Sequence, residues 1–154
     1  MQIGTKSLLF GSHQFIIHPF FVYIAWVKLY KSFPNWKEAI CIIIHDWGYW
    51  GCPNMDGQEG EQHPYWAAHW AEKFLEFHYL ELCQYHSRFL AKKHDCPVSK
   101  LCLPDKYCAA IMPIWLSVLL SNATGEINEY LTDMKYEINQ TRGSNGYHTP
   151  KEFL

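Results

Sequence analysis

The sequence has 154 residues, of which 49% are hydrophobic, 17% aromatic and 18% charged, and its formal net charge is −2. A chain of this length and composition can bury one core, so we expect a single domain. The near-neutral charge without a basic stripe disfavours a nucleic-acid polymer as partner. No apolar segment reaches the roughly 20 residues of a membrane-spanning helix, so we expect no membrane partner.

The six cysteines form no CxxC pair, and their spacing does not match a zinc ribbon. The first residues, MQIGTKSLLFGSHQF, lack the charged and then apolar pattern of a secretory signal. We therefore expect free thiols in a reducing compartment and a cytoplasmic location.

Helical periodicity dominates the chain, and strand signals are weak. Asn35 is the predicted N-cap of the second helix, and Pro64 is predicted to begin the third, with His63 at or just before its N-cap. The glycine-rich segment 47–62 is predicted to be a loop. In chain order, the predicted helices cover residues 19–32, 36–46, 64–77, 79–93, 100–121 with a kink at Pro113, and 125–140.

The predicted fold class is all-α, a compact bundle of about six helices. We expect one helical domain over residues 1–140. The polar and glycine-containing residues 141–154 are expected to form a mobile tail.

Six polar residues lie at the borders of segments that otherwise indicate a buried core. In chain order they are His18, His45, Asp46, His63, His86 and Asp105. Buried imidazoles and carboxylates need partners, and one metal centre would satisfy all six. Separate ion pairs and helix caps are the alternative. His13 is an alternative to His18, and His69 to His63.

The ordered set of six resembles the ligands of the HD-domain metal-dependent phosphohydrolase superfamily, in its dinuclear branch. The resemblance implies an HD-domain-like helical fold and two divalent transition metal ions (Fe, Mn, Co or Zn) as cofactors. Many dinuclear members carry a lysine where this chain has Tyr49, so the substrate is not implied. The segments that carry the resemblance are IHPFFVYIAWVKLY, AICIIIHDWG, EQHPYWAAHWAEKF, YHSRFLAKK and SKLCLPDKYCAA.

In the arrangement that we favour, Asp46 bridges two ions. One ion is held further by His18, His45 and Asp105, and the other by His63 and His86. A metal-activated hydroxide would then attack the phosphorus of a phosphate ester or anhydride. The expected partner is a small phosphorylated substrate, such as a nucleotide.

Residues beside these ligands are the candidates for substrate binding. Arg88 and Lys106 lie close to His86 and Asp105 in sequence and are expected to bind phosphate and assist catalysis, with a plain surface charge as the alternative. The other candidates are Tyr49, Trp50 and Asn54 for a base or sugar, and Asp56, Glu59 and Glu61 as a general base or as partners of the ligands.

Two further hypotheses fit the same ligand order. Some HD-fold proteins are mixed-valent diiron oxygenases, of which myo-inositol oxygenase is one, and their ligand order is the same. The other hypothesis is a non-catalytic metal- or ligand-binding domain. The complete ligand set favours an enzyme over this third hypothesis.

Overall fold

Helices account for the regular structure of the computed structural model, which describes residues 1–55, 58–125 and 128. These residues contain no strand, so the predicted all-α fold is confirmed. Two short 3₁₀ helices, Trp47–Tyr49 and Gly60–Gln62, lie in the segment predicted as a loop. The α-helices are α1 (Ile3–Phe10), α2 (Ile17–Tyr30), α3 (Trp36–Ile44), α4 (Pro64–Phe74), α5 (Phe77–Gln84), α6 (Arg88–Lys93), α7 (Cys102–Ile111) and α8 (Ile114–Thr124).

The starts of α3 and α4 follow the predicted local signals. The Asn35 side chain accepts hydrogen bonds from the backbone N–H groups of Lys37 and Glu38, both at 2.9 Å. The Glu38 carboxylate accepts one from the Asn35 N–H at 2.8 Å, which completes a capping box. Pro64 is the first residue of α4 and His63 is its N-cap. Both predicted helix starts are confirmed.

Two predicted helices are each divided into two. The predicted helix 79–93 becomes α5 and α6, because Ser87 adopts an extended backbone and caps α6 by accepting the Leu90 N–H. The predicted helix 100–121 becomes α7 and α8, whose axes differ by 105° across Pro113. Proline lacks an N–H and blocks a continuous helix, so the chain turns sharply there.

The sequence pattern did not indicate α1. This helix carries Gly4 in its first turn, and Gln2 at its N-cap makes no side-chain hydrogen bond. Leu8 instead packs into a small apolar cluster with Tyr49, Cys52 and Met55. Tertiary packing rather than intrinsic propensity therefore stabilises α1.

The main core lies between α2, α3, α4, α5 and α7. Its fully buried members include Val22, Trp26, Cys41, Ala67 and Leu101. Helix α4 packs against α5, and α2 packs against α7. The start of α2, the end of α3, the start of α4, the end of α5 and the start of α7 meet at one end of this core. This convergence places the six polar residues within reach of one another.

Within the described residues, no single helix combines the length and the hydrophobicity of a membrane span, and only the bent pair α7 and α8 meets those criteria together. The predicted helix 125–140 and the predicted tail 141–154 lie outside the described residues, apart from Gly125 and Asn128.

The capping box gives a direct test of the fold. We expect Asn35→Ala to lower the free energy of unfolding by about 1 kcal/mol, because two N–H groups at the start of α3 lose their acceptor. Urea unfolding followed by circular dichroism measures the change. The control is Asn122→Ala, at an exposed position inside α8, where we expect a change within about 0.5 kcal/mol. Equal effects of the two substitutions would contradict the capping role.

Candidate metal centre

Four buried side chains form a first group of donor atoms. His18 lies in the first turn of α2, His45 and Asp46 directly follow α3, and Asp105 lies in the first turn of α7. His18 Nε2 is 3.1 Å from both Asp46 Oδ2 and Asp105 Oδ1, and 3.2 Å from His45 Nε2. His45 Nε2 is 3.4 Å from each of the same two oxygens. Four potential ligand atoms therefore surround one point.

A second group of donor atoms lies beside the first. His63, the N-cap of α4, and His86, two residues beyond α5, bring their Nε2 atoms to 3.1 Å from each other. Asp46 Oδ1 is 3.3 Å from His63 Nε2 and 3.6 Å from His86 Nε2. Asp46 thus turns one carboxylate oxygen toward each group.

The hydrogen bonding of Asp46 is incomplete. Its Oδ2 atom is buried between His18 and His45 and makes no hydrogen bond of acceptable geometry. A buried carboxylate oxygen that accepts no hydrogen bond is energetically costly. A cation among the four donor atoms of the first group would offset this cost.

Backbone carbonyls fix the orientation of three of the four imidazoles. In each case Nδ1 donates to the carbonyl three residues earlier: His45 to Ile42 at 2.8 Å, His63 to Gly60 at 2.7 Å, and His86 to Cys83. A carbonyl cannot donate, so Nδ1 carries the hydrogen in each ring. In its neutral form each ring then presents an unprotonated Nε2 to the other donor atoms, and this is the form that binds a metal.

His18 has a different partner. Its Nδ1 is 3.6 Å from Cys108 Sγ, and the Cys108 thiol donates to the Asp105 carbonyl at 2.9 Å. Cys108 therefore links a candidate ligand on α2 to a candidate ligand on α7. The sequence analysis did not place this cysteine at the site, although it lies one helical turn after Asp105.

The contact between His63 and His86 also points to a cation. With both Nδ1 atoms donating to carbonyls, the two rings in their neutral form would face each other through unprotonated Nε2 atoms, which are 3.1 Å apart. Two lone pairs at this distance repel unless a proton or a metal ion lies between them. A cation would therefore stabilise the second group as well as the first.

The spacing of the donor atoms fits metal coordination. Two ligands about 2.0 to 2.2 Å from one ion, at tetrahedral or octahedral angles, lie roughly 3.0 to 3.6 Å apart. The measured separations run from 3.1 Å to 3.6 Å. A set of nitrogen and oxygen donors suits Fe, Mn, Co or Zn. The buried histidine and aspartate groups can therefore hold metal.

The pKa values of the metal-free groups follow the same arrangement. Burial opposes a charge on His18, but its contacts with Asp105 and Asp46 outweigh burial and raise its pKa well above 6.5. Burial also opposes charges on the two carboxylates, yet the neighbouring histidines lower both of their pKa values well below 3.8. Burial is the main cause of the lowered pKa of His86. A proton on His18 thus partly replaces a cation.

A polar cleft of about 220 Å³ opens onto both donor groups, and Arg88 and Lys106 lie on its wall. Lys106 Nζ is 2.8 Å from Asp105 Oδ2, the carboxylate oxygen that does not face His18 and His45. Lys106 therefore positions a candidate ligand, which its sequence position alone did not show. Its side chain is 52% exposed, so donors remain for an anion in the cleft.

Tyr49 lies against a candidate ligand. It is 8% exposed, and its ring stacks on that of His63 with 3.9 Å between the centroids. The neighbouring Gly48 allows the Trp47–Tyr49 turn to lie against the backbone of His63, because a Cβ atom at this position would lie 1.9 Å from the His63 carbonyl oxygen. Tyr49 lines the cleft, but the stacked His63 ring covers one of its faces. This geometry favours a role in orienting His63 over the predicted contact with a base or sugar.

The remaining predicted substrate residues have different positions. Asn54 donates to the Glu59 carboxylate at 3.1 Å, and neither residue is among the described residues that line the cleft. Glu61 does line it. Trp50 lines a separate apolar pocket. Asp56 lies outside the described residues.

The two alternative histidines belong to neither donor group. His13 lines the cleft, with its Nδ1 atom 3.1 Å from Ser7 Oγ and its ring centroid 5.3 Å from that of His18. His69 is exposed on α4. The geometry therefore favours His18 and His63 as ligands.

Comparison of this chain with protein-family models, with curated proteins and with solved structures gave no match. The buried cluster is compatible with an HD-like metal site.

The pKa shifts predict how the metal-free protein responds to pH. The raised pKa of His18 contributes stability that is complete below about pH 6.5 and is lost as the pH rises through the folded-state value. The lowered pKa of His86 changes the stability of the fold only below about pH 6.5. The lowered pKa values of Asp46 and Asp105 change it only below about pH 3.8. We therefore expect the melting temperature of chelator-treated protein to fall as the pH rises above about 6.5.

Added Mn²⁺ should reverse this trend, because metal binding requires unprotonated imidazoles and strengthens as protons leave. Thermal unfolding with and without Mn²⁺ across the same range measures both effects. A stabilisation by Mn²⁺ that does not grow with pH would contradict the assignment of the imidazoles as ligands.

Proposed function

We propose that the protein is a metal-dependent phosphohydrolase with a dinuclear centre. The observation that carries the proposal is the single buried carboxylate of Asp46, which turns one oxygen toward each of two donor groups. A carboxylate between two metal ions about 3.5 to 4 Å apart is typical of centres that hydrolyse phosphate bonds. The cationic side chains of Arg88 and Lys106 on the cleft wall support an anionic substrate.

The two donor groups differ in a way that suits catalysis. The first offers four protein donors, whereas the second offers three, from Asp46, His63 and His86. A site with fewer protein ligands keeps positions for water or substrate. When bound, two divalent ions would supply a hydroxide at neutral pH and neutralise charge on a phosphoryl group.

The residues of the chain then have distinct roles. The Nδ1 hydrogen bonds fix the imidazole rings, and Lys106 holds the outer oxygen of Asp105. Arg88 offers a planar set of donors that matches phosphate oxygens. Phe89, which is 46% exposed on the cleft wall, offers a ring for stacking on a nucleotide base. The proposed substrate is therefore a small phosphate ester or anhydride, such as a nucleotide.

Substitution of Asp46 tests the proposal. We expect Asp46→Asn to lower the metal content of the protein and to reduce phosphate release at least about 100-fold, because both groups lose a negative donor. Metal analysis and phosphate release from a nucleotide panel and p-nitrophenyl phosphate, each with Mn²⁺, Co²⁺ or Fe²⁺, are the measurements. The control is Asp95→Asn, an exposed position with φ of 53°, a conformation that asparagine tolerates.

Full metal content and full activity in Asp46→Asn would refute the proposed centre. Oxygen uptake by ferrous-loaded protein without phosphate release would instead support the diiron oxygenase, which uses the same donor set. Metal binding without either reaction would leave a non-catalytic metal-binding domain.

Arg88 tests the binding of phosphate separately from the binding of metal. We expect Arg88→Gln to raise KM about tenfold through the loss of charge-assisted hydrogen bonds, with a smaller change in kcat and with unchanged metal content. The control is Lys92→Gln, which removes an equal charge from an exposed position on the same helix, outside the cleft. Similar KM values for the two variants would show that Arg88 does not contact the phosphate.

A further inference from the structure

A second cavity borders the Trp47–Tyr49 turn and is lined by different residues from the metal cleft. Its volume is about 470 Å³, larger than that of the cleft. Side chains from α1, the following loop, the 3₁₀ turn and α4 form its walls. They are Leu8, Leu9, Phe15, Trp47, Trp50 and Trp66, and the backbone of Gly48 completes the surface.

This apolar pocket is separate from the cleft. The two cavities share no lining residue among the described part of the chain. Asp46 and Tyr49 line the cleft, whereas Trp47 and Trp50 line the pocket, so neighbouring residues of one turn line different cavities. The pocket is therefore a site of its own and not an extension of the proposed phosphate site.

The chemistry of the walls defines what can bind. No lining residue is charged, and four of the lining side chains are aromatic. These rings are exposed to solvent: Trp50 by 66%, Trp66 by 46%, Phe15 by 41% and Trp47 by 37%. An apolar ligand would remove this surface from water, which is favourable in proportion to the area covered. A charged ligand would be desolvated without a partner.

The size and shape of the pocket favour a small molecule. Apolar cavities of about 150 Å³ bind benzene, and this pocket is about three times larger. Its walls converge from four separate segments, and the Trp47 and Trp66 rings are 5.8 Å apart and tilted by 30°. Such a concave, aromatic-lined space of several hundred Å³ is typical of small-molecule sites.

We propose that this pocket is a binding site for an uncharged, apolar small molecule about the size of two or three aromatic rings. The proposal is independent of the metal centre and of the phosphohydrolase activity. It assigns a role to the aromatic residues 47, 50 and 66 that the metal chemistry does not use.

The test uses the full-length protein and N-phenyl-1-naphthylamine, an uncharged three-ring dye that fluoresces in apolar surroundings. We expect saturable binding of one dye per chain. Trp50→Ala should weaken it about tenfold through the loss of an aromatic contact. The matched control is Trp36→Ala, because Trp36 is also 66% exposed but lies outside the pocket; it should change the affinity less than about twofold.

Four outcomes would overturn the proposal. The first is the absence of saturable binding, and the second is an equal loss of affinity in the two variants. The third is a wild-type dimer that the dye dissociates, since a second copy of the chain would then occupy the pocket. The fourth is sedimentation of wild-type protein, but not Trp50→Ala, with phosphatidylcholine vesicles, which would assign the surface to a lipid bilayer. Retained dye binding in Asp46→Asn would show that the pocket does not depend on the proposed centre.

Discussion

The structure depends on one electrostatic constraint: four imidazoles and two carboxylates occupy a single buried region, where every charge and every lone pair needs a partner. Asp46 is at its centre, because its two oxygens face different histidines. Its Oδ2 atom accepts no hydrogen bond, and the Nε2 atoms of His63 and His86 face each other, so both places favour a positive charge. A protonated His18 supplies positive charge to the first donor group only, whereas metal ions would supply it to both groups.

This constraint explains how the helices are arranged. Each ligand segment lies near a helix end, where the chain can turn a side chain inward without interrupting the helical hydrogen bonds. The carbonyls that hold His45 and His86 belong to the final residues of α3 and α5, which lack partners within their helices. The imidazole N–H groups and the free carbonyls at the helix ends therefore satisfy each other's hydrogen bonding. Apolar packing in the main core, around Trp26 and Ile42, fixes the positions of these ends.

The sequence was most informative where a polar residue borders an apolar helical segment. His45 and Asp46 follow an apolar run, and Asn35 precedes α3 as a capping residue, so the helical fold and the six clustered residues could be predicted. The formation of α1 could not, because it depends on packing against distant Tyr49 and Met55. The contact between Lys106 and Asp105 and the stacking of Tyr49 on His63 likewise depend on side-chain directions, which spacing along the chain does not specify.

Gly48 has a consequence for the distance between the two donor groups. Its φ angle is not in the left-handed region, so glycine is required here for its small volume and not for its conformational freedom. Without a side chain at position 48, the segment that carries Asp46 rests directly on the backbone of His63. The absence of a Cβ atom at position 48 thus determines how closely the segment with Asp46 approaches His63 of the second donor group. Position 48 is the place at which the separation of the two donor groups can be altered while every ligand is retained.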